Sequence, residues 1–162
     1  MKRILLLTIL LPAFLASGAD ADPALFLNSF GVTATAYMND SFLLLGKTAD
    51  ESAADVIPKE AALERTSDVQ SRIRIVRGKL KAVSQAKIAA SDKGLIVLLE
   101  EAFACLDHQA WALSQYIRER SPENARRFEE QRTECLKRMD KVAQFYATLP
   151  PSPEVPEPLS TR

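Results

Sequence analysis

The sequence predicts an all-α protein, an antiparallel up-down four-helix bundle followed by a disordered Pro-rich C-terminal tail. Three observations carry this. Apolar side chains recur at intervals of three and four through four long segments. Short stretches with proline, glycine or serine separate those segments. No alternating run of convincing length supports a strand, and no internal repeat or Gly-rich phosphate loop is present.

The first residues set the compartment. Met1-Lys2-Arg3 supplies positive charge, and Ile4 to Ala16 is almost wholly apolar over about 13 residues, broken by Pro12. That is the pattern of a secretory signal peptide, too short to span a bilayer comfortably. Ala19-Asp20-Ala21 fits a small-x-small cleavage site, so residues 1–21 are read as the signal and the mature chain starts at Asp22. The protein is therefore expected to be exported, to the periplasm or beyond the cell. Formal charge is zero for the 162 residues, with 21 bases against 21 acids. Such a balance points to no nucleic acid as partner.

Asp22-Pro23 opens the first helix as an N-cap and first-turn pair. From Leu25 to Leu45 the run is apolar over more than half its circumference, as for a helix packed on several sides. Gly31 weakens it locally, and Gly46 is a point where it either bends or stops; one long helix over 23–54 is the favoured reading. Pro58 breaks the chain. A second helix, 59–90, follows with the stripe Leu63, Val69, Ile73, Val76, Leu80 and Val83. Its interior Gly78 is read as a place of close helix approach. Ser91-Asp92-Lys93-Gly94 makes the next reversal, and a third helix, 92–119, carries Leu95, Leu98, Ala102, Cys105, Ala112 and Tyr116 on one stripe. Ser121-Pro122-Glu123 is a helix start: an N-cap hydroxyl, a first-turn proline and an acid at the positive end of the dipole. The fourth helix, 122–148, presents Ala125, Phe128, Cys135, Met139, Val142 and Tyr146, with Arg132 where an apolar residue is expected. Together these helices make one domain over 22–149. Residues 150–162 hold five prolines within 150–158 and are expected to be extended and disordered.

The two cysteines give the sharpest inference. Residue 120 is the midpoint of 105 and 135, so two antiparallel helices folded there put Cys105 and Cys135 at one height on inward stripes. A disulfide needs Cα atoms roughly 5–6 Å apart, and an exported chain meets an oxidising compartment. Two buried free thiols, or a metal held by Cys105, His108 and Cys135, are the alternatives.

Folding the other helices about residues 56–57 and 92 extends the alignment. Asp40, Arg74, Arg77, Asp107, His108, Gln109 and Arg132 then share one polar layer beside the cysteines, with Met38. Arg77–Asp107 and Asp40–Arg74 are the expected cross-helix pairs. Bundles place ligands between helices, so any small-ligand site is expected here. His108 is read as a boundary histidine and Trp111 as a core or boundary filler. The second helix is also basic and amphipathic through Arg72, Arg74, Arg77, Lys79, Lys81 and Lys87. Its apolar stripe is more simply the bundle core than a membrane face, so membrane contact is not expected.

Motifs for chemistry are missing. Glu-x-x-His, His-Glu-x-x-His and Cys-x-x-Cys-His do not occur. In architecture the chain resembles exported four-helix bundles, the cytochrome c′ type among them, but the haem-attachment residues of that type are not here, so the likeness implies no activity. The expectation is an exported, non-enzymatic helical protein, an interaction or ligand-binding module that needs no cofactor, with an unknown protein or small ligand of the cell envelope as partner. The alternative is a periplasmic redox or sensor bundle that binds haem non-covalently through Met38 and His108.

Overall fold

The computed structural model describes residues 23–85 and 88–148. Within them the chain forms four helices and no strand: α1 (Pro23–Ala53), α2 (Lys59–Ser84), α3 (Ala90–Arg118) and α4 (Pro122–Ala147). They pack as a four-helix bundle. The expected signal peptide at 1–21 and the Pro-rich tail at 150–162 lie outside the described residues.

Each boundary has a local cause. α1 runs unbroken through Gly46 and ends in a left-handed turn at Asp55, φ 54°. There the Val56 N–H donates to the Glu51 carbonyl (2.8 Å) and the Asp55 N–H to the Ser52 carbonyl (3.2 Å). This is the double bond pattern that satisfies a helix's last carbonyls, made here with aspartate where glycine is usual. α2 stops at Ser84, short of the expected residue 90, and α3 begins at Ala90, ahead of the expected 92. Ser91–Gly94, expected as a reversal, is therefore helical. The earlier start places Asp92 in the first turn of α3, where its charge faces the unpaired N–H groups. α4 starts as the sequence indicates: Ser121 Oγ accepts from the Asn124 N–H at 3.2 Å, with Pro122 and Glu123 behind it.

The core is arranged around α3. It packs against α1, α2 and α4; α1 also packs against α2 and only lightly against α4; α2 and α4 do not meet among the described residues. The reason is that α3 buries two stripes. One is the predicted set, with Leu95, Ala102, Cys105 and Ala112 buried. The other comprises Ile96, Leu99, Phe103, Leu106, Ala110, Leu113 and Ile117, spaced three, four, three, four, three, four. A helix with two apolar stripes must be covered on several sides. Each large side chain so buried contributes about 1.5–3 kcal/mol.

The other helices bury one face each. α2 contributes Ala62, Thr66, Val69, Ile73 and Leu80, and α4 contributes Phe128, Cys135 and Val142. α1 contributes Met38, Phe42 and Leu45 together with small residues such as Ala34, Ser41, Thr48, Ala49 and Ser52, while Val32, Leu43 and Leu44 are exposed. The wide apolar circumference expected of α1 is therefore only partly covered. Gly31 lets α1 approach its neighbours: a Cβ there would run into the Tyr146 hydroxyl and come within 2.9 Å of Leu95 Cδ2. Gly78, by contrast, is exposed, with nothing within 4 Å of a Cβ built on it, so the expected close helix approach is not there.

Cys105 and Cys135 stand at disulfide distance, their Cα atoms 5.4 Å apart across the α3–α4 seam. Cys135 is fully buried and Cys105 nearly so. Other ties lock the ends. Lys59 Nζ donates to the Arg118 carbonyl at 2.8 Å, joining the start of α2 to the end of α3. Arg120, in the α3–α4 turn, donates to the Ser52 carbonyl at 2.5 Å and pairs with Asp55 at 2.8 Å, holding the end of α1.

Candidate functional site

The predicted polar layer separates into four places. The first is a cluster between α2 and α3. Asp107, almost buried, accepts from Arg77 Nη1 at 2.7 Å on one carboxylate oxygen. Its other oxygen accepts from Arg74 Nε at 3.0 Å and from Gln70 Nε2 at 2.8 Å. Gln70, Arg74 and Arg77 sit at i, i+4 and i+7 on α2, so one face delivers all three. The Arg77–Asp107 pair is the expected one. Asp40–Arg74 is not formed: Arg74 turns to Asp107, and Asp40 is exposed. Gln70 was not among the predicted residues, although its spacing from Arg74 and Arg77 was available to find it.

The second place is the interior. Gln109 is fully buried, and neither its amide nitrogen nor its oxygen has a hydrogen-bond partner. An unpartnered buried amide costs on the order of 1–3 kcal/mol. The third place is between α1 and α4, where the half-buried Arg132 lies over the Phe42 ring at 5.9 Å, against Gly46, and pairs with Glu129 at 3.6 Å. A guanidinium on an aromatic face explains how α4 tolerates arginine at an apolar position.

The fourth place is open to solvent. A groove runs along the outside of the α3–α4 seam, over the cysteine pair. It consists of two hollows of about 200 and 210 Å³ that share His108 and Gln131. One end holds Trp111 with Arg127 poised 6.0 Å from its ring centroid. The other end has Cys105 in its floor and Glu101, Glu134 and Arg138 at its rim. Trp111 is 47% exposed, so it fills no core position. Arg138 donates to Glu134 at 2.9 Å and to Glu101 at 2.6 Å, tying α3 to α4. The Arg138 hydrogen bond holds the Glu134 carboxyl below its ordinary value, and the two carboxylates raise Arg138 in turn.

Met38 and His108, the suggested haem pair, stand in opposite environments. Met38 is 1% exposed in the core, whereas His108 is exposed in the outer groove. Among the described residues no group of three or more His, Cys, Asp and Glu side chains is placed to hold a metal ion. The groove presents an exposed indole, a cation above it, an imidazole, an amide and a mixed-charge rim. No family model, known protein or solved structure matches the chain.

Proposed function

We propose that this chain is an exported, non-enzymatic helical module that binds an extended segment of a partner protein in the cell envelope along the α3–α4 groove. The observation that carries the reading is Trp111 standing exposed beneath Arg127 in that groove. Tryptophan and arginine are the side chains most often found as binding anchors. Each hollow, at about 200 Å³, falls short of the ~300–1,000 Å³ of a small-molecule pocket. A linear segment that crosses both hollows suits the shape better than a compact ligand. Support for export comes from the charged and apolar leader and from the cysteine pair at disulfide distance. Among the described residues no helix is long and apolar enough to cross a membrane.

The test is a photo-crosslinking residue at position 131 in the mature protein, expressed in its native envelope. The crosslinked partner is then purified and titrated against wild type and Trp111→Ala. A weakening of at least about tenfold, or about 1.4 kcal/mol, is the expected result. Equal affinity for the two proteins would remove the groove as the binding site.

A further inference from the structure

We infer that two copies of this chain associate through the outer face of α2, antiparallel, about a two-fold axis near residue 70. The face points away from the bundle, and its charges are segregated. Glu60, Glu64 and Asp68 occupy the first half; Arg72 and Lys79 occupy the second; all five are exposed. None of the five makes an ion pair among the described residues, whereas Arg65, Arg74 and Arg77 of the same helix all do. The helix dipole accounts for such an order only in the first and last turns, and Asp68 and Arg72 are mid-helix.

Residues 68 and 72 are equidistant from 70. A two-fold there sets Asp68 against Arg72 of the second copy, and Arg72 against its Asp68. Lys79 of the second copy then falls at the height of residue 61, within reach of Glu60 and Glu64, each contact made twice. Such self-complementarity is what an isologous interface requires. Ile75, 64% exposed, sits in the middle of this face, and Ser71 and Ala82 flank it with small side chains that let a second helix come close. An acidic partner of another kind, or an anionic membrane, would use the basic half alone and leave the acids unanswered. A second copy answers both halves. The face is separate from the α3–α4 groove, so the inference stands independently of the proposed function.

One helix against one helix covers an area at the low end of protein interfaces, below about 1,200 Å², and exposed charges are screened by salt. The dimer is therefore weak and salt-sensitive. The experiment is sedimentation of the mature protein over a concentration series, at low and high salt. Wild type should move from monomer to dimer with concentration at low salt and stay monomeric at high salt. The acid-reversed variant, Glu64→Lys with Asp68→Lys, and the base-reversed variant, Arg72→Glu with Lys79→Glu, should each be monomeric. An equimolar mixture of the two should restore association at least about tenfold over either alone. Circular dichroism checks that both variants keep their helix content. A monomeric wild type at every concentration, or a mixture that fails to associate, overturns the inference. Binding to anionic vesicles that is lost only in the base-reversed variant, with no self-association, assigns the face to a membrane instead.

Discussion

Gly31 and Gly78 are both interior helix glycines, and their surroundings give them opposite meanings. At Gly31 an added methyl meets Tyr146 and Leu95. Overpacking of this kind costs about 1–3 kcal/mol, against a gain in helix propensity of about 1 kcal/mol. Gly31→Ala should therefore lower stability by on the order of 1 kcal/mol. At Gly78 the same methyl enters open space, so Gly78→Ala should raise stability by about 0.5–1 kcal/mol. Urea unfolding midpoints of the two variants, with unchanged slopes, measure both. The sequence shows two glycines at helical positions and cannot tell them apart, because the difference lies in what other helices bring near. The same limit governs residues 107–109. Register counting puts them in one layer, but successive helical residues turn by about 100°. Asp107 faces α2, His108 faces solvent and Gln109 faces the interior. Height alone does not make a site.

At the level of elements, α3 decides the architecture, and its second stripe was there to be read. Ile96, Leu99, Phe103, Leu106, Ala110, Leu113 and Ile117 keep a strict three-four rhythm. The stripe through Cys105 is interleaved with it, and following the cysteines alone leaves the larger stripe unseen. By contrast, the start of α4 and the pairs Glu123/Arg127, Arg126/Glu130 and Glu134/Arg138 were all legible, because local spacing fixes them. The α2–α3 contact, the core of the hub, contains one charged cluster whose weight can be measured. Among the described residues Asp107 is the only acid paired to Arg74 and Arg77, and Arg77 is half-buried with its Nε unpartnered. Removing the carboxylate leaves that guanidinium uncompensated, which is costly even when the intact pair contributes little. Asp107→Asn should lower stability by about 2 kcal/mol. Glu123→Gln, which breaks an exposed pair with Arg127, should change it by less than about 0.5 kcal/mol. Chemical denaturation of both variants at neutral pH makes the comparison; equal effects would mean that the cluster is only another surface pair.

Across the whole molecule, charge pairs and the cysteine pair act at different places. Arg65 of α2 reaches Glu51 of α1 at 2.5 Å, and this hydrogen bond holds the Glu51 carboxyl below its ordinary value, as Arg138 does for Glu134. A carboxylate with a depressed pKa in the folded state adds stability above its unfolded value and loses it as pH falls through the folded one. Stability should therefore decline as pH drops below the ordinary value of 4.5. Arg65→Gln together with Arg138→Gln should flatten that decline in a pH series of thermal melts. A disulfide between the cysteines would act on the unfolded chain instead. They are 30 residues apart in sequence and level in the hairpin, which their symmetry about residue 120 already indicated. The thin α1–α4 contact was not legible, since it depends on how α1 is placed against α2 and α3 together. Closing a loop of that length should contribute about 3–4 kcal/mol through lost unfolded-state entropy. A bridge here would join α3 and α4, which share an extensive packed seam without it. Reduction should then lower the melting temperature by on the order of 10 °C while leaving the helix content at room temperature unchanged. Mature protein isolated without reductant should resist alkylation even when denatured, and should take up two alkyl groups only after reduction. Two reactive thiols in the unreduced, denatured protein would mean that the pair is unbridged; the stability difference would then vanish, and with it the cysteine argument for export.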